Sequence, residues 1–308
     1  MNTPVRGEDF CNREETIQTL LNDTVIGKSQ GNVWIVGERQ TGKTSLLRYM
    51  QLSHEDYNER VHIYGTNEKM KVAFIYMNCQ TLKKPDDYYY KVYQSLNDFF
   101  DFKIKSQDDH YSSFIDALKK VYELKHYIVF LFDEFDAFIQ KMINTNPEQV
   151  DAFLSELNNM SQAFSKIKGE PKTFSCVFAA NYTLGELLKN INVSGSGLIS
   201  EMIVLPFFTC DHIHELATRY LQNHSLSFSD SEIQFCYKIT NGYPYLVQKL
   251  LSIMYDQKML FPQVNDPYFE KIKHLFQLEL ESIIENWGNE TMPPRTKHKL
   301  ELAEKGTA

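Results

Sequence analysis

The chain has 308 residues, enough for one large domain or two ordinary ones. Its 43% hydrophobic and 23% charged residues are the balance of a globular protein, and no run of about 18 uncharged apolar residues exists, which excludes a membrane-spanning helix. A net charge of −8 argues against a surface coated with phosphate-binding cations, while leaving room for a local basic patch.

Targeting and metal signals are equally plain. Met1 to Glu8 is polar, without the apolar stretch of a secretory signal. Cys11, Cys79, Cys176, Cys210 and Cys236 are scattered and form no C-x-x-C, so they read as reduced thiols of a cytoplasmic protein. His212 and His214 stand two apart, which suits neither a helical metal pair nor a zinc finger.

Phe10 to Ile17 leads into a helix with apolar residues at Ile17, Leu20 and Leu21, capped by Asn12 with Glu15 as the return arm. Val33 to Val36 is a short apolar run that reads as a buried strand. It opens into Gly37-Glu38-Arg39-Gln40-Thr41-Gly42-Lys43-Thr44, with Ser45 behind it, and a helix begins there. The spacing is G-x-x-x-x-G-K-[ST], the phosphate-binding P-loop. Its glycines bring backbone N–H groups close to phosphate oxygens, and the helix start adds free N–H groups and the positive end of a dipole. Lys43 is expected to reach the β- and γ-phosphates and the Thr44 hydroxyl to hold Mg²⁺.

Residues 51–70 carry no periodic signal and read as a loop or short hairpin. Val72 to Met77 is a buried strand that ends at Asn78. Lys84 to Phe100 is helical, with Tyr89, Val92, Tyr93 and Leu96 on one face; Tyr88-Tyr89-Tyr90 reads as a core stripe with one or two exposed rings. Tyr111 to Leu124 is another helix. Tyr127 to Phe132 is six apolar residues without alternation, a strand buried on both faces. It ends in Asp133-Glu134, at the carboxyl edge where open α/β sheets bind ligands. Asp133 fits an aspartate of the Mg²⁺ shell and Glu134 the base that polarises an attacking water.

Val150 to Ile167 is helical, and Phe174 to Ala180 is a strand ending at Asn181. A polar side chain there is placed to touch a γ-phosphate or the lytic water, and Thr183 is a second candidate; a helix follows from Leu184 to Asn190. Val193 to Gly197 is a loop, and Met202 to Pro206 a last strand. From Cys210 onward only helices follow. Asp211 is expected to cap the first and Ser229 the second, Asn241-Gly242-Tyr243-Pro244 breaks the chain, and two more helices run to about Asn286. The remainder, with Pro293-Pro294 and many charges, reads as a disordered tail or a linker stub.

Four segments resemble STAND and archaeal-type AAA+ ATPases related to the origin-recognition ATPases. Phe10 to Thr16 is similar to F-x-G-R-x-x-E, with Asn12 for glycine and Thr16 for glutamate. The P-loop and Phe132-Asp133-Glu134 are the Walker A and Walker B motifs. Thr240-Asn241-Gly242-Tyr243-Pro244 resembles T-G-G-x-P, with Asn241 for the first glycine. The resemblance implies an α/β fold, a P-loop NTPase parallel sheet flanked by helices, followed by a small all-α AAA+-type lid. The domains would be 1–208, 209–286 and a tail of 287–308. It implies ATP or ADP and Mg²⁺ as cofactors, adenine-side contacts from Cys11, Asn12 and Arg13, and a lid contact from Tyr243 and Pro244. It also implies a protein partner or effector and a nucleotide-dependent homo-oligomer, in a setting such as prokaryotic defence or signalling.

The chain departs from such proteins in lacking an arginine just before the last core strand; only Arg219 stands between Arg60 and Arg295. That favours a slow, switch-like ATPase over a fast motor. Two other readings stand beside it: a DNA-directed ATPase of initiator or transposition type, disfavoured by the acidic charge, and a non-hydrolysing scaffold that keeps ATP or ADP as a structural ligand.

Overall fold

A computed structural model describes residues 13–21, 31–52, 61–62, 69–102, 109–166, 174–191, 197–221, 226–260 and 265–287. Asn12, residues 193–196 of the expected loop and the expected tail after Trp287 lie outside them. The strands are β1 (Val33–Val36), β2 (Val61–His62), β3 (Lys69–Asn78), β4 (His126–Asp133), β5 (Phe174–Ala180) and β6 (Glu201–Val204). The helices are α1 (Glu14–Gln18), α2 (Lys43–Leu52), α3 (Pro85–Phe100), α4 (His110–Glu123), α5 (Phe135–Thr145), α6 (Pro147–Lys166), α7 (Leu184–Leu188), α8 (Cys210–Tyr220), α9 (Asp230–Thr240), α10 (Pro244–Leu260) and α11 (Asp266–Trp287). They form two compact units. The first holds residues 13–37 and 43–205, and the second holds 38–42 and the chain from Pro206 onward.

In the first unit the sheet order is β2-β3-β4-β5-β1-β6. All neighbours are parallel except β2, which makes a short antiparallel hairpin with β3. β5 lies between β1 and β4, so the chain after β5 emerges between the end of β1 and Asp133-Glu134. β4 is buried from Tyr127 to Asp133, as its unbroken apolar run requires. An aromatic stack locks these three strands. Phe178 of β5 lies 5.7 Å from Trp34 of β1, 5.3 Å from Phe132 of β4 and 4.5 Å from Phe135 of α5, centroid to centroid. Tyr88 and Tyr89 are buried and Tyr90 is 38% exposed, the expected core stripe with one outer ring.

The second unit contains the four helices α8 to α11 around a core of Ile213, Ile233, Val247, Leu250, Ile272 and Leu280. Ser229 caps α9 through a reciprocal capping box with Glu232, as expected. Asp211 does not cap α8. Thr209 does, accepting from the backbone N–H of His212, because it stands outside the first turn with extended backbone. Glu232 is fully buried on α9; Lys258 donates to it at 2.6 Å and the Tyr268 hydroxyl at 2.9 Å. At Gly242, φ is +69° and an added Cβ would lie 1.9 Å from the Phe208 carbonyl oxygen, so only glycine fits that turn.

Candidate nucleotide site

The P-loop turns as its glycines demand. Gly42 has φ +97°, with open space where a Cβ would stand, and Gln40 is also left-handed at +61°. Thr41 closes the turn, donating from its backbone N–H and its hydroxyl to the Glu38 carbonyl at 3.3 and 2.8 Å. Lys43 and Thr44 begin α2, and Ser45 follows in its first turn. Gly37 donates to the Ala180 carbonyl at 3.2 Å, tying the loop to the end of β5.

Three strand ends meet at Lys43 and Thr44. Its buried ammonium donates to the Gly37 carbonyl at 2.7 Å and to Asn181 Oδ1 at 2.9 Å. The Thr44 hydroxyl donates to Asp133 Oδ2 at 2.8 Å. Asp133 is 1% exposed, and its Oδ1 accepts from the Glu134 backbone N–H at 3.1 Å. Glu134 is left-handed, at φ +54°, where the chain turns from β4 into α5. For a residue with a Cβ that conformation costs about 1–3 kcal/mol, and such strain gathers where function requires it.

Asn181 is oriented by Asp136, a residue the motifs did not mark. Asp136 is 4% exposed, and its Oδ2 accepts from the Asn181 backbone N–H at 2.8 Å and from Nδ2 at 3.0 Å. A carboxylate only accepts and an ammonium only donates, so the amide must turn its NH₂ to Asp136 and its oxygen to Lys43. In this state Asn181 presents an acceptor toward the P-loop lysine. Trp34 steadies the same segment, its indole N–H donating to the Tyr182 carbonyl at 2.9 Å. Thr183 does not join the group. Its hydroxyl is engaged with Glu186 in the capping box of α7.

Tyr76 of β3 is the other residue that no motif marked. Its hydroxyl donates to Asp133 Oδ2 at 2.8 Å, and burial together with the Asp133 charge pushes its pKa up, so it remains a donor. Sequence alone offered only one signal for Tyr76 and Asp136: both are polar residues set at the carboxyl edge among apolar neighbours.

The other expected contacts distribute as follows. Arg13 is buried and stands as N-cap of α1 without a side-chain cap bond; Cys11 and Asn12 lie outside the described residues. Within the second unit the Tyr243 hydroxyl donates to the Arg39 carbonyl, and Pro244 opens α10.

A family model described as AAA domain matches residues 26–188. ORC1-type DNA replication protein 1 of Sulfurisphaera tokodaii is 30% identical over 141 residues, 44% of this chain and 31% of that protein, so the chain spans about a third of this curated relative. The Aeropyrum pernix ORC2 protein, solved as ADPNP–ADP complexes, matches at TM-score 0.60 and 12% identity over 89% of this chain and 72% of that one. A Walker-type ATPase of Pyrococcus abyssi matches at 0.52 and 16% identity over 98% and 91%. These likenesses establish the fold, a parallel sheet flanked by helices with a C-terminal helical lid. With its P-loop on β1, its carboxylates on β4 and a family match over more than half its length, the chain belongs to the AAA domain family.

Proposed function

We propose that the chain is an Mg²⁺-dependent ATPase of STAND/AAA+ type acting as a nucleotide-controlled conformational switch, slow by itself and dependent on a protein partner. The observation that carries this is the joining of Lys43, Thr44, Asp133 and Asn181 by direct hydrogen bonds at one sheet edge.

The residues fit a magnesium ion. Thr44 Oγ1 and Asp133 Oδ2 are hard oxygen donors 2.8 Å apart, with Asp133 buried and Thr44 half-buried, and Mg²⁺ is held in such sites by one or two carboxylates, retained waters and phosphate. The ion would neutralise charge on the phosphate oxygens. Lys43 holds the β- and γ-phosphates with its ammonium, and Gly37 to Ser45 supply backbone N–H groups around them. The Glu134 carboxylate accepts the proton of the attacking water. Asn181 reads the γ-phosphate through Lys43, since its oxygen faces the ammonium. No N-K-x-D guanine-reading tetrapeptide occurs, which favours ATP over GTP. Without an arginine finger of its own the rate is lower by roughly 10³–10⁵, a factor that a partner protein would supply.

A second reading, a DNA-directed initiator-type ATPase, is favoured by the similarity to an ORC1-type DNA replication protein. The acidic net charge weighs against it. Phosphate release from ATP and Mg²⁺, with and without duplex DNA, separates the two. Turnover indifferent to DNA supports the switch; salt-dependent stimulation by DNA supports the initiator.

A further inference from the structure

Asp133 Oδ2 accepts two hydroxyl hydrogen bonds, from Thr44 and from Tyr76, each at 2.8 Å. Thr44 is accounted for by the P-loop motif; Tyr76 belongs to no motif. It sits on β3, whose register sets Tyr76 beside Leu131 and Asn78 beside Asp133, so its side chain reaches forward to the carboxylate. The Arg48 guanidinium carbon lies 3.4 Å from the centre of the Tyr76 ring, a cation–π contact. Arg48 is one helical turn after Thr44 on α2, on the same face of that helix. Thr44, Asp133, Tyr76 and Arg48 therefore close a ring of contacts: helix to carboxylate, carboxylate to tyrosine, tyrosine back to helix.

We infer that Tyr76 is a positioning residue for the divalent-cation site, its hydroxyl fixing the plane of the Asp133 carboxylate while Arg48 fixes the ring. This rests on the proposal that Asp133 and Thr44 hold Mg²⁺ with nucleotide. The Thr44 hydroxyl on Oδ2 belongs to the cation's own ligand set and the Glu134 N–H holds only Oδ1, so the Tyr76 hydroxyl anchors Oδ2 from β3, independently of the P-loop. Removing an outer-shell partner of this kind typically lowers metal affinity about 10–100-fold.

The test is Tyr76→Phe in the full chain, which removes one oxygen and keeps the ring for Arg48. Binding of a fluorescent non-hydrolysable ATP analogue is followed as Mg²⁺ is titrated, and again in EDTA. The Mg²⁺ midpoint is expected to rise about tenfold, with affinity in EDTA unchanged and turnover restored by excess Mg²⁺. Arg48→Met is expected to move the midpoint in the same direction by less. A midpoint equal to that of the wild type overturns the inference, and so does an equal loss of affinity in EDTA, which marks a packing role. Wild-type binding indifferent to Mg²⁺ would instead overturn the Mg²⁺-dependent function, and the inference with it.

Discussion

Asn181 and Asp136 form the most sharply testable pair in the structure. Asn181→Ala withdraws the Nδ2 donor from a carboxylate that is 4% exposed and whose Oδ1 already lacks a partner among the described residues. It also withdraws one acceptor from the buried Lys43 ammonium. Each is a charge-assisted hydrogen bond worth about 1.5–3 kcal/mol, and Lys43 keeps the Gly37 carbonyl, so the expected loss is about 2–4 kcal/mol. Asp136→Ala leaves the Asn181 donors unpaired, at about 1–3 kcal/mol. The double variant removes both ends of the bond. It is expected to be about 1–2 kcal/mol more stable than the sum of the single losses. The chain has two tryptophans, so in a Trp287→Phe background urea unfolding followed by fluorescence reports on Trp34 in the first unit alone. Losses that add to within about 0.5 kcal/mol would refute the coupling, and with it the orientation of Asn181 by Asp136.

Two further outcomes follow from buried polar groups elsewhere. Lys258→Met leaves the buried Glu232 carboxylate without its cation and is expected to destabilise the second unit by about 3–5 kcal/mol, read as an early loss of helical circular dichroism on heating. Burial raises the pKa of Cys79 and Cys236 above their ordinary 9.0, and of Tyr88, Tyr89, Tyr127 and Tyr268 above 10.0. The folded state therefore holds protons that the unfolded state releases. Stability is full below about pH 9 and falls above it, by up to about 1.4 kcal/mol per pH unit for each group, more steeply once the tyrosines join near pH 10. Urea midpoints measured from pH 8 to 11 check this, and a flat profile contradicts it.

Much of the fold is legible in the sequence because its signals are local. The P-loop is a contiguous pattern, β4 is an unbroken apolar run, and Ser229 with Glu232 is a capping box readable at three-residue spacing. α5 was also readable. Phe135, Phe138, Ile139 and Met142 follow a helical period, but the run starts directly after Asp133-Glu134, where the strand ending masked it. Thr183 shows the opposite failure: a hydroxyl near a strand end looks like a ligand contact until Glu186, three residues on, claims it. Tyr76 and Asp136 were not readable as site residues. Each is a single side chain whose partner lies 57 or 45 residues away, and only the strand order brings them together.

Phosphate release from ATP and Mg²⁺ by the pure protein, beside Lys43→Ala and Glu134→Gln, tests the central claim most directly. Slow wild-type turnover is expected, with nucleotide binding and turnover both lost in Lys43→Ala. In Glu134→Gln binding is expected to persist while turnover falls by about 10²–10⁴. Bound nucleotide with no turnover in the wild type, or turnover that survives both substitutions, would contradict hydrolysis at this site.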